Sequence, residues 1–329
     1  MPRMTYAQAA LTALAEAMRA DARVVVIGED VGRGGVFAQY RGLQEEFGGA
    51  RVIDTPISES TILGAAVGMA LHGLRPVVEM RVVDFALCAM DEVVNQAAKA
   101  RYMFGGQGRV PLVARMPIGL WAGSAAQHSQ SLEAWFAHVP GLVVVTPATP
   151  ADNFGLLKAA IGSDDPVVYM EHKELWSAAG EVPDGELPRL GIAAVRRAGT
   201  DLTLVAWSRA VHAALEAAEQ AAGRGISIEV IDLRTIWPWD RDAVLASAAR
   251  TRRLLVVHEA VQAAGFGAEI AATVAETLGI PVARLGAPRI PVGYAQALED
   301  EARVSAGRIL ARALALCEVG GATPAAGSR

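Results

Sequence analysis

The sequence predicts an α/β fold with two doubly wound domains, in which helices cover both faces of a parallel sheet. Three observations predict it. Short apolar runs alternate along the chain with longer alanine-rich stretches of helical spacing. A segment rich in glycine, proline and mixed charges, residues 177–199, interrupts this alternation, which then resumes. With 329 residues, 52% of them hydrophobic, the chain is long enough for two cores.

The first half contains six strands separated by helices. The strands are predicted at residues 23–28, 51–55, 75–80, 110–115, 142–146 and 166–171. The helices are predicted at residues 6–19, 61–72, 87–102 and 151–161. Because the strands are apolar throughout rather than alternating, both faces of their sheet are expected to be covered, as in parallel sheets.

The second half repeats the pattern on a smaller scale. Its strands are predicted at residues 202–206, 226–233, 254–259 and 282–285, and its helices at 210–222, 240–249, 267–278 and within 295–316. We therefore divide the chain into a first domain (1–185), a linker (186–198), a second domain (199–318) and a flexible tail (319–329).

Composition disfavours several classes of function. The net charge is −5 and no basic stripe is visible, so we expect no nucleic-acid partner. The two cysteines, Cys88 and Cys317, lack the spacing of a zinc site or a disulfide framework and suit a reducing compartment, so we expect a cytoplasmic protein. The most apolar window, residues 62–80, carries charged side chains, and the first ten residues resemble no signal or transit peptide; we expect no membrane association.

The usual single-chain cofactor motifs are missing. The first predicted strand is not followed by GxGxxG, and the chain contains no GxxxxGK[ST], GxSxG or HExxH sequence. An enzyme-like α/β layout without these motifs directs attention to residues at the carboxyl edge of the predicted sheet, where open α/β sheets bind ligands.

Four residues are candidates at that edge. Glu59 would lie in the first turn of a helix that follows the strand at 51–55, and Phe85 and Glu29 follow two other strands. His128 lies in a long loop of small residues, 119–131, a size that is often functional. Each also has a structural interpretation: a helix-dipole acid for Glu59, core packing for Phe85, a solvated turn acid for Glu29 and a backbone-bonded loop histidine for His128.

Several longer motifs carry a family resemblance. They are GEDVGRGGVF (28–37), RVIDTPISES (51–60), AMDEVVNQAAKARYM (89–103), AAQHSQSLEAWFAHVPGL (125–142), EVIDLRT (229–235), and VVHEA with GFGAEI (256–270). In this order and spacing they resemble the beta subunit of the thiamine-diphosphate-dependent decarboxylase component of 2-oxo acid dehydrogenase complexes, over nearly the whole chain.

The resemblance implies a transketolase-like pyrimidine-binding domain followed by a transketolase C-terminal domain. It also implies a heterotetramer of two alpha and two beta subunits, active only when both are present. The alpha subunit brings a GDG sequence that holds Mg2+ and the diphosphate, and this chain contains no GDG. The implied reaction is oxidative decarboxylation of a 2-oxo acid, with acyl transfer to a lipoyl-bearing acyltransferase. Pyruvate, a branched-chain 2-oxo acid and acetoin all stay open, because GGVF and AAQHSQS favour different relatives.

The resemblance assigns roles to single residues. Glu59 matches the glutamate that hydrogen-bonds N1′ of the aminopyrimidine, and Phe85 matches the ring that packs on it. His128 matches the histidine that assists proton and acyl transfer. Further positions around the aminopyrimidine are Glu29, Ile57, Ser58 and Arg81. Arg81 departs from the Gln or Met of related chains, and it indicates either an altered substrate or a salt bridge to the alpha subunit.

Some members of the family hold a structural K+ ion. The matching positions here are Leu112, Ala160, Ile161, Ser163 and Asp165. Two of them depart from the family, which often has Asp at position 163 and Asn at 165. Two other functions remain open at this point: a non-oxidative carboligase or decarboxylase subunit, and a non-catalytic scaffold that keeps only the alpha-subunit interface.

Overall fold

The computed structural model describes residues 2–183, 185 and 187–319. Their contacts divide into two compact units. The first unit comprises the described residues up to Ile192 together with Arg234–Trp239 and Pro291–Glu299. The second unit comprises Ala193–Leu233, Asp240–Ile290 and the described residues from Asp300 onward. Each unit is built on its own sheet.

The strands are short and the helices longer, as the alternation predicts. The strands are β1 (Arg3–Thr5), β2 (Val24–Glu29), β3 (Val52–Thr55), β4 (Arg75–Glu79), β5 (Val113–Arg115), β6 (Val143–Val145), β7 (Val167–Tyr169), β8 (Ala179–Glu181), β9 (Ala194–Arg197), β10 (Leu202–Ala206), β11 (Ile228–Asp232), β12 (Thr235–Trp237), β13 (Leu254–Val261) and β14 (Val282–Ala287). The α-helices are α1 (Tyr6–Ala20), α2 (Leu43–Phe47), α3 (Glu59–Leu71), α4 (Val83–Ala86), α5 (Ala98–Met103), α6 (Glu133–Ala137), α7 (Pro150–Gly162), α8 (Ala210–Ala222), α9 (Arg241–Thr251), α10 (Gly267–Leu278), α11 (Gln296–Ala302) and α12 (Ala306–Val319).

The first unit contains a sheet of seven strands in the order β12-β6-β7-β5-β4-β2-β3. All its pairings are parallel except that of β12 with β6. Helices α1 and α7 pack together over the buried valines of this sheet. Thr5 and Gln8 begin α1 with a capping box, and Thr149 caps α7 ahead of Pro150 at its first position. Both helix starts are therefore encoded locally.

The second unit contains five strands in the order β14-β13-β10-β11-β9. The pairings that join β14, β13, β10 and β11 all run parallel, and only β9 is antiparallel, along β11. Residues 194–197, which the sequence assigns to the linker, thus form an edge strand. The predicted α/β fold with doubly wound parallel sheets is confirmed in both units.

Three local predictions were wrong. The one helix predicted within residues 295–316 is two helices, α11 and α12, interrupted at residues 303–305. Residues 87–102 do not form one regular helix, because a 3-10 turn (Leu87–Ala89) and a π-helical stretch (Glu92–Ala97) precede α5. The carboxylate of Asp91 accepts from the side-chain amides of Asn95 and Gln96, four and five residues on, which suits a wider helical turn. The strand predicted from residue 110 begins only at Val113, since Pro111 has no N–H for a sheet.

The structure also bears on membrane spans and on the cysteines. No helix in the described part of the chain is long and apolar enough to cross a membrane. Both cysteines are free thiols. The tail predicted at 319–329 lies, apart from the backbone of Val319, outside the described residues.

Candidate active site

Three neighbouring strands end at the same edge of the first sheet. Strand β2 lies between β3 and β4, and in this register Gly28 faces both Asp54 and Glu79. Because the three strands are parallel, the residues that follow them meet at one carboxyl edge. Glu29 ends β2, and Glu59 begins α3 just beyond β3. The chain after β4 brings the remaining side chains to the same place.

A narrow crevice lies at this edge and is partly open to solvent. It is lined by Glu29, Ser58, Glu59, Ile62, Glu79, Met80, Arg81 and Phe85. The structure therefore brings together five of the six positions predicted around the aminopyrimidine. The sixth, Ile57, does not line the crevice and is 72% exposed. Ile62 could have been found from its position one helical turn after Glu59.

His128 lies beside the crevice, on the loop that follows the neighbouring strand β5. The loop that follows β5 returns to the edge, and the His128 ring meets the Phe85 ring edge-on, with centroids 5.2 Å apart and planes at 82°. Since β5 is the neighbour of β4, the loops after these two strands are adjacent. These two candidate residues, which lie far apart in the sequence, are thus in contact.

Two side chains anchor the loop that carries His128. The ammonium of Lys173, itself buried, donates to the backbone carbonyl of His128. The side-chain amide of Gln130 donates to Asp84 at 2.7 Å, next to Phe85 in the chain. Both contacts fix the loop by its backbone and flank, and they leave the imidazole exposed at the surface of this unit.

Arg81 reaches the crevice from a tight turn at the end of β4. Its φ is +48°, in the left-handed region, and the N–H of Val82 donates to the carbonyl of Met80 across it. The guanidinium Nη1 lies 2.8 Å from Oε1 of Glu29. The side chains of Arg81 and Glu29 are 33% and 16% exposed, so this is a partly buried ion pair within the chain.

A buried carboxyl forms the floor of the crevice. Glu79 accepts a hydrogen bond from the hydroxyl of Tyr40, and burial raises the pKa of this carboxyl while Arg115 opposes the shift. Gly28 allows this arrangement, because a Cβ there would meet the Cβ of Glu79 at 2.8 Å. Sequence reasoning missed Glu79; its signal was an acid closing an otherwise apolar strand.

An enclosed ion pair supports that floor. The guanidinium of Arg115 donates to Oε2 of Glu171 from Nε at 2.8 Å and from Nη2 at 2.6 Å, and it lies over the Tyr40 ring at 4.9 Å. Asn153 donates to the other oxygen of Glu171 at 2.8 Å. The two charged side chains are 1% and 2% exposed. The polar layer under the crevice is therefore sealed from solvent.

The five positions predicted for K+ lie together near the other end of the sheet, at Leu112, Ala160, Ile161, Ser163 and Asp165. Backbone oxygens suit a hard monovalent cation, but each of these five carbonyls already accepts a hydrogen bond within the chain. Two of those bonds, to Ile161 and Ser163, come from the Arg75 guanidinium at 3.0 and 2.8 Å. The potassium site stays a prediction.

Domain families match both units. Residues 2–177 match the transketolase pyrimidine binding domain, and residues 191–309 match the transketolase C-terminal domain. The solved structure of a split gene transketolase, an inactive beta4 tetramer, covers 96% of this chain and 98% of its own at a TM-score of 0.79. At 23% identity that likeness supports the fold alone. The chain is thus a transketolase-like protein.

Relatives of known name show which family of transketolase-like proteins the chain belongs to. The 2-oxoisovalerate dehydrogenase subunit beta of Bacillus subtilis is 43% identical over 96% of this chain and 99% of that protein. The acetoin:2,6-dichlorophenolindophenol oxidoreductase subunit beta of the same organism is 44% identical over 87% and 89%. The pyruvate dehydrogenase E1 component subunit beta of Rhizobium meliloti is 42% identical over 96% and 70%. The chain belongs to the family of 2-oxo acid dehydrogenase beta subunits, as the motifs predicted, and the family implies dependence on thiamine diphosphate.

Proposed function

We propose that this chain and an alpha subunit together form a decarboxylating component that oxidises a 2-oxo acid, or cleaves acetoin, and passes the acyl group to a lipoyl group. One observation carries the proposal. Glu59 and Phe85, which lie far apart in the sequence, line one crevice on the carboxyl edge of the sheet, and His128 contacts Phe85 beside it. Nothing favours the non-oxidative carboligase or the non-catalytic scaffold over this function.

The chemistry of the crevice fits the aminopyrimidine of thiamine diphosphate. A carboxyl at Glu59, in the first turn of α3, is placed to hold a proton at a ring nitrogen. The Phe85 ring supplies an apolar surface for a planar heterocycle. Ser58 and Glu29 add polar groups to the wall. When bound, the cofactor supplies the electron sink for cleavage of a carbon–carbon bond.

His128 suits proton transfer outside the ring pocket. Its imidazole packs on Phe85 with one edge and is otherwise exposed, so it is accessible to a substrate or an acyl acceptor. Histidine exchanges protons near neutral pH. We assign to it the proton movements that accompany decarboxylation and acyl transfer to the lipoyl group.

The crevice is half of a site. No group of three or more His, Cys, Asp or Glu residues that could hold a metal occurs in the part of the chain that the structure describes. The resemblance gives the GDG sequence that holds Mg2+ and the diphosphate to the alpha subunit, and this chain contains no GDG. On that ground we assign both to an alpha subunit in a heterotetramer of two alpha and two beta subunits. The exposed Ile57 offers that subunit an apolar contact beside the crevice. We keep the cytoplasmic location and the lipoyl-bearing acyltransferase as parts of the proposal.

The test is turnover by the chain co-expressed with its alpha subunit. Reduction of an artificial acceptor is measured with Mg2+ and thiamine diphosphate present, using pyruvate, branched-chain 2-oxo acids and acetoin separately. Turnover with one donor, lost in Glu59→Gln but kept in the exposed-surface control Glu46→Gln, is the expected result. A pair that binds the cofactor and turns over none of these donors, or a Glu59→Gln enzyme of near-normal rate, contradicts the proposal.

A further inference from the structure

Arg81 is the crevice residue whose role the sequence leaves open. Two roles follow from its departure from related chains: selection of a different substrate, or a salt bridge to the alpha subunit. The structure shows a different partner, since the guanidinium is bound to Glu29 of the same chain at 2.8 Å. Both side chains also line the crevice that contains Glu59 and Phe85.

The backbone at Arg81 is held in place from both sides. The N–H of Met80 donates to the Arg115 carbonyl at 3.1 Å, and the N–H of Val83 donates to the Pro117 carbonyl at 2.9 Å. A left-handed φ is unfavourable for arginine and persists only where the surroundings fix it. These two hydrogen bonds fix it, and they aim the side chain across the end of β4 towards β2.

The charge of the crevice explains what the side chain does there. Among the described residues that line it, three are glutamates (Glu29, Glu59 and Glu79) and one is an arginine. Glu29 is only 16% exposed, so solvent screens its charge poorly. The guanidinium neutralises this carboxylate and, with a charge-assisted hydrogen bond, restricts it to one orientation.

We propose that Arg81 is a positioning residue that acts through Glu29. It fixes the Glu29 carboxylate at the wall of the ring pocket, so that the aminopyrimidine meets a neutral, oriented pair rather than a free negative charge. The inference rests on the proposed function, because it concerns that same cofactor. It places the effect of Arg81 on cofactor binding, not on donor choice or on assembly with the alpha subunit.

Cofactor affinity tests the pairing directly. Thiamine diphosphate is titrated calorimetrically, with Mg2+ present, into the assembled enzyme carrying Arg81→Gln, Glu29→Gln or both. Each single variant is expected to raise the Kd about tenfold, the effect of one charge-assisted hydrogen bond. The double variant is expected to raise the Kd about tenfold in total, not about a hundredfold, because the second change removes a partner whose interaction is already lost.

Two further readouts distinguish this role from the others. Arg81→Lys keeps the charge without the planar fork and is expected to recover part of the affinity. The ratio of kcat/KM values between donors and the yield of the alpha–beta assembly are expected to match those of the exposed-surface control Arg19→Gln. Additive losses in the double variant, a changed donor ratio or lost assembly in Arg81→Gln would each overturn the inference.

The inference and the proposed function fail in different ways. Wild-type enzyme that turns over a donor, loses activity in Glu59→Gln and binds the cofactor equally well in Arg81→Gln keeps the function and rejects the role of Arg81. Wild-type enzyme that neither binds the cofactor nor turns over any donor rejects the function itself, and with it the inference.

Discussion

Replacing Arg115 by methionine should destabilise the chain strongly. The change removes both hydrogen bonds to Glu171 and leaves that carboxylate with Asn153 as its partner. Since the pair is 1% and 2% exposed, no solvent replaces the lost cation. Breaking a buried pair from one side costs about 3–5 kcal/mol. For a unit of this size that corresponds to a fall in Tm on the order of 10 °C.

Urea unfolding followed by tryptophan fluorescence measures this loss. Arg19→Met is the matched control, because Arg19 and Glu46 form an equally short pair at 2.6 Å with 55% and 41% of their side chains exposed. We expect that control to change the free energy of unfolding by less than about 1 kcal/mol. Changing Arg115 and Glu171 together to methionine should recover most of the loss, because the cation and its paired carboxylate are then removed together.

Two outcomes would refute this reasoning. An Arg115→Met chain within about 1 kcal/mol of wild type would show that Glu171 finds a proton or solvent without penalty. A double variant less stable than the single one would show that packing around the guanidinium, not charge, dominates. If the single variant does not accumulate, the double variant is compared with wild type. Stability close to wild type then supports the charge explanation, and a loss of about 3–5 kcal/mol supports packing.

Three further results are expected. Gly141→Ala should lower stability by about 3 kcal/mol or more in thermal melting, because φ is +102° and the new Cβ would lie 2.0 Å from the Ala98 oxygen. The control is Gly48→Ala, which has φ +76° and open space around it, so it measures the cost of the backbone strain alone. Burial lowers the pKa of His258 to about 4, below its ordinary 6.5. The contribution of the neutral ring to the free energy of unfolding is therefore complete above pH 6.5, and up to roughly 3 kcal/mol is lost as the pH falls towards 4. In His258→Gln, the free energy measured by urea unfolding should depend less on pH across this range. His128→Ala should keep cofactor affinity but impair decarboxylation or acyl transfer, and an unchanged rate with a lipoyl substrate would remove it from the site.

The sheets were predictable because their signals are local. Val-rich runs and capping residues such as Thr5 and Thr149 specify strands and helix starts from a few neighbouring residues. The carboxyl edge follows from parallel order alone, so the sequence by itself suffices to place Glu59 and Phe85 at the same edge of the sheet. His128 needed the further fact that β5 is adjacent to β4.

The features that the sequence did not predict depend on contacts between residues that are distant in the chain. The partner of Arg81 is set by the pairing of β4 with β2, and nothing near position 81 indicates Glu29. Glu79 gives no periodic signal, since its role comes from Tyr40 and Arg115 elsewhere in the chain. Long-range polar networks of this kind are invisible to patterns of hydrophobicity.

Strand β12 makes the first unit discontinuous in sequence. Thr235–Trp237 follow β11 of the second unit, yet they pair with β6 and cover what would otherwise be an open edge of the large sheet. A gene divided within residues 186–198 would leave β6 with unpaired backbone groups and apolar side chains, a template for aggregation. The two halves therefore cannot be exchanged as continuous segments of the chain. A domain swap or a split-protein design has to transfer residues 234–239 together with the first half.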